Sequence, residues 1–144
     1  MNLVEQLRPK RKELVVAAEK IAADMFKPGQ DQSIKKSQLN HLIGVCGEAT
    51  CAEEIENYVR YQAGRKNTGW TPALAKEVIA GIAGALATLD NDRVRVEAWR
   101  IYTVFLTRAF TFQFAASKDR PAAGAEAART DKQPQPQAQR GRGR

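Results

Sequence analysis

Residues 92–116 carry apolar side chains around most of a helical circumference, and this stretch constrains the fold more than any other. At about 100° per residue, Val94, Ala98, Ile101, Phe105, Ala109 and Phe112 form one stripe, with Tyr102 beside it. Val96, Trp99, Leu106, Phe110 and Phe114 form a second stripe on a separate face. Arg93, Glu97, Arg100, Thr107, Arg108 and Thr111 are confined to a narrow polar strip. A helix with so much apolar surface either runs through the centre of a bundle or packs its second stripe on another subunit. The second alternative assigns Trp99, Phe110 and Phe114 to a subunit interface.

The upstream segments share the helical period. Leu14, Ala18, Ile21, Ala22 and Met25 predict a helix over residues 9–26, with Pro9 in the first turn and Lys27-Pro28-Gly29 as its end. Leu39, Leu42, Ile43 and Cys46 predict a short helix that stops at Gly47, with Ser33 and Ser37 available as caps. Thr50 and Glu53 have capping-box spacing ahead of Ile55, Tyr58, Val59 and Gln62, and Gly64 supplies a stop. Thr71 followed by Pro72 opens a fourth helix with Leu74, Val78, Ile82 and Leu86 on one face, and its Gly81 and Gly84 permit close helix packing. No segment alternates with the period of a strand, and no internal repeat suggests a solenoid. The expected fold is all-α: a compact bundle of about five helices in residues 1–116, followed by a tail, residues 117–144.

The chain has 144 residues, enough for one domain, and 23 Lys and Arg against 16 Asp and Glu give a formal charge of +7. The tail holds seven of the basic and three of the acidic residues, has no aromatic side chain and is rich in Ala, Gly, Pro, Gln and Arg. Such a composition buries too little apolar surface to offset its ordering entropy, so the tail is expected to be disordered. Its closing RGRGR suits either polyanion binding or solubility. Apolar runs are too short for a membrane span, and MNLVEQLRPKRKEL has no apolar secretory region; the expected location is the cytoplasm, without membrane partners.

Catalytic constellations are not expected. His41 is the single histidine, and Cys46 and Cys51 have neither zinc-knuckle nor redox-pair spacing, so both thiols are expected as reduced core fillers. Glu53, Glu54 and Glu56 suit the positive end of a helix dipole and need no acid–base role. Glycines do not form a phosphate-cradling loop. No metal and no cofactor are therefore expected.

The informative segment is residues 57–70, where Arg60, Arg65 and Lys66 interleave with Tyr58, Tyr61 and Trp70 around a helix end. Cations neutralise phosphates and flat rings stack on bases or ribose. The alternative is that Tyr58 and Trp70 belong to the core while the cations form a solvated face drawn to the helix C-terminus.

The run SIKKSQLNHLIGVCGEA, a helix ending in NYVRYQAGR, a Trp-bearing loop and a long aromatic last helix resemble the small helical subunit of type III CRISPR effector complexes. The resemblance covers residues 33–116. It implies a non-enzymatic bundle that stacks in copies along an RNA-guided ribonucleoprotein, touching guide and target RNA backbone and other effector subunits. It places phosphate contacts at Lys35, Lys36, Arg60, Arg65 and Lys66, with Arg100 as a further candidate. The RGRGR tail and the extended basic N-terminus depart from the family pattern. Two rival readings remain: a helix-turn-helix DNA binder exposing Glu54, Asn57, Arg60 and Tyr61, and an adaptor that binds protein through Trp99, Phe110 and Phe114.

Overall fold

The computed structural model describes residues 2–30 and 34–119. Helix α1 (Leu3–Leu7) begins at Asn2, whose Oδ1 accepts from the Glu5 N–H at 2.9 Å while Glu5 Oε1 accepts from the Asn2 N–H at 3.2 Å. A 3-10 turn (Arg8–Lys10) joins it to α2 (Arg11–Met25), so Pro9 sits in this turn and not in the long helix. The remaining helices are α3 (Lys36–Glu48), α4 (Ala52–Gly64), α5 (Pro72–Leu86) and α6 (Asp92–Asp119). The expected all-α bundle is present, with five helices of 13 residues or more among the described residues.

Several boundaries differ from the sequence reading for local reasons. Ser37 lies inside the first turn of α3, which follows an extended Lys35, and Ser33 lies outside the described residues. At the start of α4 it is Glu54, not Glu53, that accepts from the Thr50 N–H at 2.6 Å and from Thr50 Oγ1 at 3.1 Å. Thr71 caps α5 as expected by accepting from the Leu74 N–H, and Asn91 Oδ1 accepts from the Arg93 and Val94 N–H groups at the start of α6. Helix α6 continues to Asp119, past the expected end at residue 116. The expected tail from residue 120 on lies outside the described residues.

The first compact unit is Met1–Gln113; Phe114 opens the second, of which the final turns of α6 are described. Within the first, α5 packs on α2 and α4, and α3 packs on α4. Helix α6 is central. Tyr102 donates to the Val78 carbonyl of α5 at 2.8 Å, Thr103 approaches Cys46 of α3, and Phe110 meets Phe26 at the end of α2, with ring centroids 5.3 Å apart. Arg95 reaches back to the Leu86 and Leu89 carbonyls at 2.7 and 3.0 Å, capping the end of α5 with a cation.

This arrangement decides between the two readings of the last helix. Trp99 is fully buried, edge-on to Tyr102, and Phe110 is buried as well, so the expected interface at these two positions is corrected: both belong to the core. Of the three, Phe114 alone is exposed, and Phe112 of the first stripe is exposed too. The first stripe covers only part of the core contact, and the second supplies the rest. Among the described residues no helix is long and apolar enough to cross a membrane, and no strand is present.

Candidate nucleic-acid interface

The end of α4 is organised around a buried amide. Gln62, only 7% exposed, donates through Nε2 to Tyr58 Oη at 2.8 Å, and its Oε1 accepts from Arg65 Nη1 at 3.3 Å. The Arg65 guanidinium also lies over the Tyr61 ring, 5.3 Å from its centroid. The Gln62 carbonyl accepts from the Arg65 N–H at 3.2 Å and from Thr68 Oγ1 at 2.8 Å, closing the last turn. Asn67 and Gly69 adopt left-handed backbone conformations, with φ of 66° and 84°, and the Trp70 N–H donates to Thr68 Oγ1. These turns deliver Trp70 into the core.

The three rings of the segment therefore separate by role. Trp70 is buried and Tyr58 half-buried, as their core reading requires, whereas Tyr61 is 60% exposed. Gly64 needs no special backbone conformation; the left-handed residues come later, at Asn67 and Gly69.

The candidate phosphate-binding cations are all at the surface except Arg100, but they do not converge on one point. Lys35 shares a groove with Gln38, Asn67, Thr68, Gly69 and Trp70. Arg60 and Lys76 flank a second groove floored by Ala63, Gly64, Ala75 and Ile79. The segment joining α4 to α5 lines the first groove with Asn67, Thr68, Gly69 and Trp70, and carries Arg65 and Lys66, while Gly64 and Pro72 at its two ends line the second, so four of the six candidates and Lys76 lie around one connection. Lys36 lines a different groove, with Ile43, Val104, Thr107 and Arg108. Arg100 is half-buried and held bidentately by Glu97, Nε to Oε1 at 2.9 Å and Nη2 to Oε2 at 2.6 Å. That carboxylate raises the guanidinium pKa further and cancels its charge locally, so Arg100 is not an open phosphate contact. Arg60 makes a looser pair with Glu56 at 3.8 Å. Among the described residues no carboxylate lies within 4.0 Å of Lys35, Lys36, Arg65 or Lys66.

Sequence reasoning missed Lys76, whose place beside Arg60 depends on how α4 crosses α5. It also missed a second meeting of cations and rings: the guanidinium groups of Arg11 and Arg108 lie 5.4 and 5.9 Å from the Phe105 centroid. Arg108 was legible in the polar strip, but Arg11 reaches Phe105 only through the packing of α2 on α6.

The remaining chemistry is quiet. Burial pushes the Cys46 thiol up to about 12 and raises the Tyr102 phenol above its ordinary value. Cys46 and Cys51 are both free thiols. No group of three or more His, Cys, Asp or Glu able to hold a metal occurs among the described residues. The Glu54 carboxyl is held below its usual range by the Thr50 N–H, so it is engaged at the helix start instead of being free to read bases. This weakens the helix-turn-helix reading, and the burial of Trp99 and Phe110 removes two of the three residues on which the adaptor reading stood. No protein-family model, no curated protein and no solved structure matches the chain.

Proposed function

We propose that this chain is a non-catalytic, cytoplasmic, RNA-backbone-binding subunit of an RNA-guided ribonucleoprotein, of the type III CRISPR small-subunit kind. The observation that carries the reading is the set of exposed cations, Lys35, Arg60, Arg65, Lys66 and Lys76, around the connection between α4 and α5. Three of them, Arg60, Arg65 and Lys66, lie in or beside the Arg-Tyr-Gln-Ala-Gly-Arg element on which the family resemblance also rests. Cations spread over two grooves suit a polyanion that runs along the surface better than a compact ligand gripped from all sides. Guide and target RNA, further effector subunits and other copies of this chain are the partners under this reading.

Binding of unrelated RNA sequences to the full chain across a salt series tests it. Affinity should be similar between sequences and fall linearly with salt on logarithmic axes. Affinity that is absent or independent of salt would overturn the reading and favour a protein-binding adaptor. A strong preference for one duplex DNA sequence would favour the helix-turn-helix alternative.

A further inference from the structure

We infer that Tyr61 is a stacking platform for an unpaired nucleobase, so that the end of α4 takes single-stranded RNA by ring and phosphate together. This rests on the RNA-binding reading above and specifies the form of RNA that the same surface accepts. Of the three rings in the segment, Trp70 and Tyr58 are turned to structural use, and Tyr61 is left 60% exposed. A lone exposed tyrosine is ordinary. What sets this one apart is the group fixed beside it.

Arg65 is held over the Tyr61 ring at 5.3 Å and is tied from behind by Gln62 Oε1. Gln62 is in turn buried and anchored through Tyr58. The guanidinium and the ring are thus presented as one unit, and little side-chain freedom remains to be lost on binding. A guanidinium binds phosphate, whereas an aromatic face binds a base, and in a nucleotide these two are joined through a single ribose. Arg65 covers part of one ring face, and the exposure of the rest leaves room for a base. No carboxylate among the described residues lies within 4.0 Å of Arg65 or of the adjacent Lys66 to repel the phosphate.

A duplex cannot use this ring, because its bases are already paired and stacked inside the helix. A surface of phosphate contacts alone would be indifferent to that distinction. Tyr61 therefore makes the site prefer an unpaired stretch, such as a strand end or a gap in a heteroduplex, without selecting a sequence.

The test uses the full chain and a short single-stranded RNA carrying one 2-aminopurine, alone and annealed to its complement. Wild-type protein should change the fluorescence of the single strand through stacking, and Tyr61→Phe should preserve both this change and the affinity. Tyr61→Ala should abolish the change and weaken single-strand binding about tenfold, while leaving duplex binding within about twofold. Equal weakening of single strand and duplex by Tyr61→Ala, or no weakening of either, would overturn the stacking role yet leave backbone binding intact. A Tyr61→Phe protein as defective as Tyr61→Ala would also overturn it, since the hydroxyl and not the ring would then be responsible. If wild-type protein binds neither form, the stacking role and the RNA reading fall together.

Discussion

Gly81 and Tyr102 are matched across the α5–α6 contact: a methyl group on Gly81 would stand 2.5 Å from the Tyr102 hydroxyl oxygen but 3.5 Å from the ring carbon that bears it. The hydroxyl cannot easily retreat, because it donates to the Val78 carbonyl at 2.8 Å. Gly81→Ala should therefore destabilise the protein by about 1–3 kcal/mol, despite the roughly 1 kcal/mol that alanine gains over glycine inside a helix. In a Tyr102→Phe background the obstructing oxygen is gone, and the same change should become neutral or stabilising. Urea denaturation of the two single variants and the double variant measures the coupling, which should exceed about 1 kcal/mol. Additive effects would mean that the helices separate at little cost.

Replacing Arg60, Arg65 and Lys66 together with alanine should lower affinity for unrelated RNAs by similar factors. It should also reduce the salt slope by about 2–3, since each phosphate left without its cation removes roughly 0.7–0.9. Arg100→Ala should change the slope much less, because Glu97 already neutralises that guanidinium. A salt titration of each variant measures both effects.

The two cysteines should react at very different rates. Burial holds the Cys46 thiol protonated up to about 12, and the thiolate is the reactive form. At about pH 8, near the ordinary range of a free thiol, a disulfide reagent should titrate Cys51 first and reach Cys46 only when denaturant opens the core. Rapid modification of both thiols in the native protein would show that α3 separates readily from α6.

Phe110→Asp should unfold the protein or cost at least about 3 kcal/mol, since it places a carboxylate against Phe26 in the core. Phe114→Asp should leave the melting temperature within a few degrees, because that ring is 44% exposed. Thermal melts followed by circular dichroism separate the two cases.

Periodicity makes the helices legible because each amphipathic stripe must be buried somewhere, and the stripes of α2, α4 and α5 are indeed the buried residues Leu14, Ile55 and Val78 with their neighbours. It does not say what covers the second face of α6. Trp99 and Phe114 share a stripe in sequence, yet one is fully buried and the other exposed, because only tertiary packing determines where the covering helices stop. Charges are legible as residues but not as partners. Arg100 reads as available in the polar strip, whereas Glu97 clasps its guanidinium, and Lys36 stands next to Lys35 in sequence but lines another groove. Gln62 reads as a member of the α4 stripe, and it is buried there, but the stripe gives no sign that its amide supports Arg65.

Acid should loosen the start of α4. The Thr50 N–H and hydroxyl lower the Glu54 pKa in the folded state below the ordinary value of 4.5. A depressed carboxyl stabilises the fold above its unfolded pKa, and the contribution disappears as pH falls through the folded value. Wild type and Glu54→Gln should therefore differ in stability at neutral pH and converge in acid, which denaturation at a series of pH values measures. A difference that persists in acid would assign the effect of the substitution to packing and not to charge.

Three hydroxyls on α6 point back along their own helix: Thr103 donates to the Trp99 carbonyl, Thr107 to that of Thr103 and Thr111 to that of Thr107, at 2.8, 2.8 and 2.9 Å. Each rung uses up the donor that would otherwise require an acceptor on a neighbouring element. At the buried Thr103 and Thr107 a polar letter thus behaves as an oily one, whereas Thr111 makes the same bond at the surface. Valine could replace Thr107 and Thr111 without orphaning a partner across the bundle, whereas at Thr103 it would also remove the hydroxyl oxygen that Cys46 Sγ approaches at 3.9 Å. The strip that reads as the wet side of α6 is thus dry at one letter, Thr107, while Arg93, Arg108 and Thr111 keep its edge in water: the alphabet overstates the thirst of that one position.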